Sequence, residues 1–351
     1  MDDVFSLINT VIPDTSDTLL IRYNIMQMLY GVEERIGRMH IAKRVGITER
    51  HVRTTLAQMR AQGLIDITQQ GVTLTPFGHK ILLALNRVIH ESNKERFYEL
   101  EMKLRRRLGV DHCRIVAGNG DEDSQVFELL GQSVQQILMD YLPRNESVVA
   151  VTGGSTLARI GKEFTPELSK NHALTFVPTR GGFGGAFEIQ SNTIGGLMAQ
   201  QTNSRYVPLF VPENISKETS QVLMQDPSIL RAVELSKRAD SLLLSVGSAE
   251  VMAERRDISE NQREKIEEEA AVGEAFGVFF DKNGQKILRY PRLGMQLEDI
   301  EEIPLLITVV AGETKAEAIE AFYKVAPKHG WLVCDESIAN KIIKGHALSY
   351  S

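Results

Sequence analysis

The sequence predicts an α/β protein in two parts: an N-terminal winged helix-turn-helix domain and a larger Rossmann-like domain with a mainly parallel sheet. Three observations support this. As far as residue 76, helical periodicity is followed by two short alternating strands around a glycine. Beyond residue 109, short apolar runs alternate with helical stretches, the rhythm of a parallel sheet with crossover helices. Charge is also unevenly divided. Arg35 to Arg60 holds seven Lys/Arg against one acid, Glu49, so this segment carries +6 within a chain of net −6. The remainder sums to −12, an acidic body bearing one small basic module.

At 351 residues, with 42% hydrophobic and 25% charged side chains, the chain has room for more than one domain. No apolar run approaches the ~20 residues of a membrane-spanning helix. Met1-Asp2-Asp3 begins without the basic and apolar pattern of a secretory signal, so cytoplasmic residence with no membrane partner is expected. Cys113 and Cys334 stand far apart without metal-ligand spacing; buried thiols are expected rather than a disulfide, and no metal site.

Taken in order, Asp17 to Tyr30 repeats apolar residues at Leu20, Ile21, Ile25, Met28 and Leu29, a helical face with Asp17 as its N-cap. A short helix from Met39 to Val45 leads to Gly46. Thr48 then caps a third helix through Val52, Leu56 and Met59, ending near Gly63. This is helix-turn-helix spacing. Leu64 to Pro76 alternates around Gln70-Gly71 and reads as the hairpin wing.

On the third helix Arg50, His51, Arg53 and Thr54 face away from the apolar positions. A basic face with short polar residues suits the major groove of double-stranded DNA, where arginine pairs bidentately with guanine. Thr48 belongs to the same candidate surface, and Lys43, Arg44 and Arg60 are assigned to the phosphate backbone. The competing reading is a solvated charged face; fold pattern and charge asymmetry together favour DNA.

Phe77 to Leu108 reads as a linker helix between a DNA-binding domain over 1–76 and an effector-binding and oligomerisation domain over 109–351. Leu82, Leu85 and Ile89 step by three and four, and Phe97, Leu100, Leu104 and Leu108 resume after a polar gap at Ser92-Asn93. So narrow a stripe suits pairing with a second chain or with the neighbouring domain. A homodimer or homotetramer is expected.

In the larger domain, strands are expected over His112–Ala117, Val148–Val151, Leu174–Pro178, Tyr206–Val211, Ser241–Val246, Phe276–Phe280, Leu305–Val310 and Trp331–Cys334. Helices are expected over Ser124–Tyr141, Ser155–Lys162, Ile189–Thr202, Ile229–Arg238, Glu260–Ala271, Lys315–Tyr323 and Ser337–Lys344.

Small, polar or glycine-rich turns follow four of these strands: Thr152-Gly153-Gly154-Ser155-Thr156, Thr179-Arg180-Gly181-Gly182-Phe183-Gly184-Gly185, Gly247-Ser248 and Ala311-Gly312-Glu313-Thr314-Lys315. In an open parallel sheet such turns converge on one crevice. The chemistry offered there is anion binding. The first turn ends on a helix N-terminus, with its unpaired N–H donors and partial positive charge. Arg180 brings a forked donor and Lys315 a point charge. Arg255 or Arg256 adds a third cation, though either has Glu254 and Asp257 as salt-bridge competitors. Glu274 and Gln190 are candidate partners of sugar hydroxyls. Catalytic patterns are poorly represented: Gly-x-Gly-x-x-Gly opening a helix, the P-loop motif and His-Glu-x-x-His are all missing. His112, His172, His329 and His346 are scattered. Asp335-Glu336 reads either as a carboxylate pair or, preferably, as the cap of the last helix.

These residues carry a resemblance. Val151-Thr152-Gly153-Gly154-Ser155-Thr156, Thr179-Arg180-Gly181-Gly182, Ala275-Phe276-Gly277-Val278-Phe279-Phe280-Asp281, Ala311 through Ile319 and Asp335-Glu336 look like the SorC type of bacterial transcriptional regulators, over essentially the whole chain. The resemblance implies a sugar-binding domain similar in fold to ribose-5-phosphate isomerase and glucosamine-6-phosphate deaminase. It further implies a repressor of a central glycolytic operon, without cofactor, induced by a phosphorylated sugar such as fructose-1,6-bisphosphate. By resemblance, phosphate falls on Gly153, Gly154, Ser155, Thr156, Arg180 and Lys315, with Arg255, Glu274 and Gln190 around the sugar. Thr152, Gly181 and Gly182 complete the expected effector site. The alternative is an enzyme, a sugar-phosphate isomerase or deaminase with an added N-terminal domain. It would need a carboxylate base at the sugar, and a basic winged helix has no use in it.

Overall fold

Contacts cluster into two units, residues 1–99 and 100–351. The computed structural model describes residues 13–30, 36–68, 71–182, 186–212, 215–256 and 258–345. In the first unit, helices α1 (Pro13–Leu29), α2 (Arg38–Val45) and α3 (Glu49–Ala61) precede strands β1 (Ile65–Thr68) and β2 (Gly71–Leu74), and α4 (Pro76–Leu108) follows. The first helix starts upstream of Asp17, which therefore lies inside it and is no cap. Pro13 suits a first helical position, where its fixed φ is preset and its missing N–H is not needed. Gly46 adopts φ 75° to end α2, and the Thr48 hydroxyl accepts from the His51 N–H to start α3. β1 and β2 pair antiparallel from Ile65↔Leu74 to Thr68↔Gly71. Gln70, at the expected hairpin tip, lies outside the described residues. Ile25, Ile41, Val52, Leu56, Met59, Ile65, Val72 and Leu82 form one buried core, so three helices and a wing close on each other as the periodicity predicts. The α4 backbone stays helical through Ser92-Asn93.

The second unit begins with β3 (His112–Val116), α5 (Gln125–Tyr141), β4 (Glu146–Val151), α6 (Ser155–Ile160), β5 (Ala173–Pro178), α7 (Ser191–Gln201) and β6 (Arg205–Tyr206). Helices α8 (Lys217–Leu223) and α9 (Pro227–Lys237) lead to β7 (Ser241–Leu244), β8 (Gly247–Ser248), α10 (Ala249–Arg255) and α11 (Glu260–Glu268). The chain ends through β9 (Ala271–Ala275), β10 (Val278–Asp281), β11 (Lys286–Arg289), β12 (Leu305–Val310), α12 (Ala316–Val325), β13 (Trp331–Asp335) and α13 (Glu336–Lys344). Seven strands form a parallel sheet in the order β3-β13-β12-β7-β4-β5-β6, and β11-β10-β9-β8 form a smaller antiparallel sheet. β7, β12 and β13 are buried at every residue, as expected of a sheet covered on both faces.

Three expectations need correction. The strand predicted over Tyr206–Val211 stops at Tyr206. Pro208 has no N–H to give a ladder, and the Asn192 side chain takes over, accepting from Leu209 N and donating to Leu209 O. The strand predicted over Phe276–Phe280 is instead a hairpin. Phe276 and Gly277, at φ 54° and 79°, turn the chain between β9 and β10. The helix predicted to Ala271 ends at Glu268, and Ala271 opens β9. Cys113 and Cys334 are buried free thiols, as expected.

Candidate functional site

In the first unit, burial of Val52, Thr55, Leu56 and Met59 turns the opposite face of α3 outward. Arg50, His51, Arg53, Thr54 and Arg60 are exposed there, with Thr48 at the head of the helix and Lys43 exposed on α2. The side chain of Arg44 lies outside the described residues. The Thr54 hydroxyl donates back to Arg50 O at 3.2 Å. Arg53 lies 3.8 Å from the Glu49 carboxylate one turn earlier. Both groups are more than half exposed, so that pair is weak. Arg38, Arg53 and Arg60 share an open groove of about 450 Å³ with Leu56, Ala57, Ala61 and Ile67. Arg38 was not singled out from sequence. It counts in the charge excess but sits at the start of α2, where linear spacing does not bring it to α3.

In the second unit the strand order fixes the crevice. From β4 the chain moves outward to β5 and β6, whereas from β7 it moves the other way, to β12 and β13. The sheet therefore reverses between β4 and β7, and ligands of open parallel sheets bind outside the strand ends at such a switch. The Thr152–Thr156 turn leaves β4 here. Thr152 N donates to Leu243 O of β7 at 3.0 Å, and Gly154 N to Ile189 O at 2.9 Å. No side chain caps α6, which leaves the Ser155–Thr156 end of the helix open to an outside acceptor.

Gly153 shows why the turn is glycine. A β-carbon there would lie 2.8 Å from Arg180 Nη2 and 2.8 Å from Ile189 O. Arg180 therefore rests against the β4 turn. Its own turn is fixed by a bridge to Gly294 and by Gly182 N donating to Val211 O. A β-carbon on Gly182 would meet Gln190 Oε1 at 2.5 Å, so Gln190 reaches the Arg180–Gly182 turn from the head of α7.

Lys315, at the end of the turn after β12, donates from Nζ to Thr156 Oγ1 at 3.0 Å. Burial lowers its pKa; the carboxylates of Asp121 and Asp335 oppose that, and Arg255 and Arg159 reinforce it. Arg255 and Lys315 thus share one electrostatic field with Arg159, a residue not singled out from sequence. Thr156-x-x-Arg159 spacing puts the two on one helix face, which was the available signal.

Two candidate carboxylates are held by protein. Asp335 is fully buried. Its Oδ2 accepts from Gly120 N and Gly312 N, both at 2.7 Å, and its Oδ1 from Ser337 Oγ and Ile338 N. It caps α13, as preferred above, and is no free acid. Glu274 is 3% exposed, and its Oε1 accepts from Arg256 Nη2 at 2.7 Å and from Gly277 N at 2.5 Å. Of those two arginines, Arg256 pairs with Glu274, and the charge of Arg255 is among those that lower the Lys315 pKa. His172 and His329 are hydrogen-bonded to the carbonyls of Pro143 and Ile303, and His346 lies outside the described residues. Among the described residues no group of His, Cys, Asp or Glu is placed to hold a metal ion, and no helix is long and apolar enough to cross a membrane.

The assembled crevice offers backbone N–H groups, two hydroxyls, an ammonium and guanidinium groups on one side of a parallel sheet. That is a receptor for anionic oxygens. Comparison with known proteins adds to the geometry. A model of a sugar-binding domain matches residues 92–344, and one described as the CggR N-terminal DNA binding domain matches residues 19–89. The central glycolytic genes regulator of Bacillus subtilis is 34% identical over 98% of this chain and 99% of its own. A solved SorC family transcriptional regulator from Enterococcus faecalis, at 37% identity, covers 70% of this chain and 100% of its own with a TM-score of 0.67. The full-length sorbitol operon regulator SorC from Klebsiella pneumoniae covers 93% of this chain and 99% of its own, with a TM-score of 0.60; at 16% identity it shows the fold alone.

Proposed function

We infer the function of this chain from its family: it belongs to the SorC family of transcriptional regulators, with an N-terminal DNA-binding domain and a C-terminal sugar-binding domain. It acts in the cytoplasm as a repressor of central glycolytic genes; the name of its Bacillus relative supports regulation of such genes. Its effector is a phosphorylated sugar, fructose-1,6-bisphosphate. The observation that carries this reading is the bond from Lys315 to Thr156, which sets a partly buried ammonium at the helix end next to the sheet's switch point.

Phosphate sits on Gly153 to Thr156, Arg180 and Lys315, with Arg255, Gln190 and Glu274 around the sugar. An isomerase would need a free carboxylate base. Asp335 is committed to four donors, and one oxygen of Glu274 to two. Arg50, His51, Arg53 and Thr54 read bases, while Lys43, Arg44 and Arg60 hold phosphates. The protein works as a homo-oligomer, with α4 as one contact. Effector binding loosens its grip on DNA. A 100-fold loss of operator affinity needs ~2.7 kcal/mol of coupling, within reach of a bisphosphate held by several cations.

The test is operator binding by the full chain, followed by fluorescence anisotropy with and without fructose-1,6-bisphosphate. Affinity should fall at saturating bisphosphate and stay constant with unphosphorylated fructose. Operator affinity that ignores the bisphosphate contradicts the reading.

A further inference from the structure

Helix α9 carries apolar side chains on two opposite sides. Ala232, Val233 and Ser236 turn inward and are buried, and Ile229 packs beside them. The other side presents Pro227, Leu230, Arg231, Glu234, Leu235 and Arg238, which line a shallow open groove of about 330 Å³. Steps of three and four residues make these six positions one stripe along the helix. Leu230 is 37% exposed. Among the described residues neither the Arg231 guanidinium nor the Glu234 carboxylate is paired with another side chain.

We propose that this stripe packs on the same stripe of a second copy of the chain, the two helices antiparallel about a two-fold axis; this rests on the homo-oligomer reading given above.

The order of the six residues is self-complementary. In a two-fold contact each residue meets the partner residue that lies equally far on the other side of the axis. An axis at the level of Ala232 and Val233 sets Leu230 against the partner subunit's Leu235 and Arg231 against the partner subunit's Glu234. Pro227 then faces the partner subunit's Arg238, whose aliphatic stem covers the ring while its charge stays in water. Every position finds a match, and every match occurs twice. A parallel pairing would instead set arginine on arginine and glutamate on glutamate. Six residues a side fall short of the roughly 20–30 of a standard interface, so this contact adds to the α4 pairing and does not replace it.

The experiment is sedimentation equilibrium at low ionic strength on the full chain and on its Arg231→Glu, Glu234→Arg and combined Arg231→Glu/Glu234→Arg variants. Both side chains face solvent, so the reversals leave the fold intact. Each single reversal sets like charges face to face at both pairs. It should weaken self-association at least about tenfold, an effect that shrinks in high salt. The combined variant has opposite charges facing again and should associate within about threefold of the unaltered chain. Single variants that associate normally, or a combined variant no better than the singles, would overturn the proposal. A monomeric unaltered chain would remove the homo-oligomer reading itself, whereas an oligomer indifferent to the reversals would remove only the α9 contact.

Discussion

Lys315 and Thr156 stand 159 residues apart in sequence, and the sheet brings the lysine Nζ to 3.0 Å from the threonine Oγ1. The bond joins the turn after β12 to the helix that follows β4, across the intervening β7. It fixes a cation at an open helix N-terminus and so brings hydroxyl, ammonium and N–H donors together, the set to which the proposed function assigns a phosphate.

Replacing Lys315 with Ala removes that ammonium. Effector affinity should fall about 10- to 100-fold, the worth of one charge-assisted contact, while operator affinity without effector is kept. Arg180→Ala should behave the same way. Calorimetry and operator titration read both. A normal response in both variants would move the site elsewhere.

Gly153→Ala tests the close approach of the β4 turn to Arg180. The new methyl lies 2.8 Å from Arg180 Nη2 and from Ile189 O, and only the arginine tip can give way easily. Binding of fructose-1,6-bisphosphate should weaken at least about tenfold, with a smaller effect on inorganic phosphate. Equal affinities for Gly and Ala at this position would contradict the geometry.

Arg53→Ala on the exposed face of α3 should weaken operator binding and relax base preference, costing about 1–3 kcal/mol if it pairs with guanine. Arg38→Ala should weaken binding evenly across sequences and reduce the salt dependence. Effector affinity should stay unaltered in both. An unchanged operator affinity in Arg53→Ala would remove α3 as the recognition helix.

The fold was legible because burial leaves periodic traces. Leu305–Val310 reads as a strand from five apolar residues and Thr308, and all six are buried. The wing and helix-turn-helix were visible for the same reason, from Val52, Leu56 and Met59 on one face and alternation around Gly71. The site was legible in its glycine turns and cations but not in its pairings. Nothing in the adjacent pair Arg255-Arg256 says which one turns inward; the hairpin that brings Glu274 to Arg256 decides it. That hairpin was itself hidden, because Ala275 through Phe280 is apolar enough to pass for one strand. Arg38 was missed since it reaches its cluster through tertiary packing, and Arg159 although its spacing from Thr156 on one helix was available.

Acid stability depends in part on Glu298. Hydrogen bonds from Arg289 and then Lys286 lower its pKa from 4.5 to about 2. A depressed carboxylate pKa stabilises the fold above the unfolded value and loses that contribution as pH falls through the folded one. Between pH 4.5 and about 2 the melting temperature of the protein should therefore drop more than that of Glu298→Gln. Parallel decline of the two would remove this ion pair as a source of acid sensitivity. The group is largely exposed, so the difference will be small.

The central claim is that the β4–β12 crevice holds a phosphorylated sugar. Thermal unfolding of the full chain with fructose-1,6-bisphosphate tests it most directly, because a ligand bound only by the folded state adds about 2.7 kcal/mol at a hundredfold excess over Kd. The expected result is a saturable rise in melting temperature that unphosphorylated fructose does not produce and that Lys315→Ala moves to about 10- to 100-fold higher bisphosphate concentration. A melting temperature indifferent to the bisphosphate, or an equal rise at the same concentrations in Lys315→Ala, would contradict it.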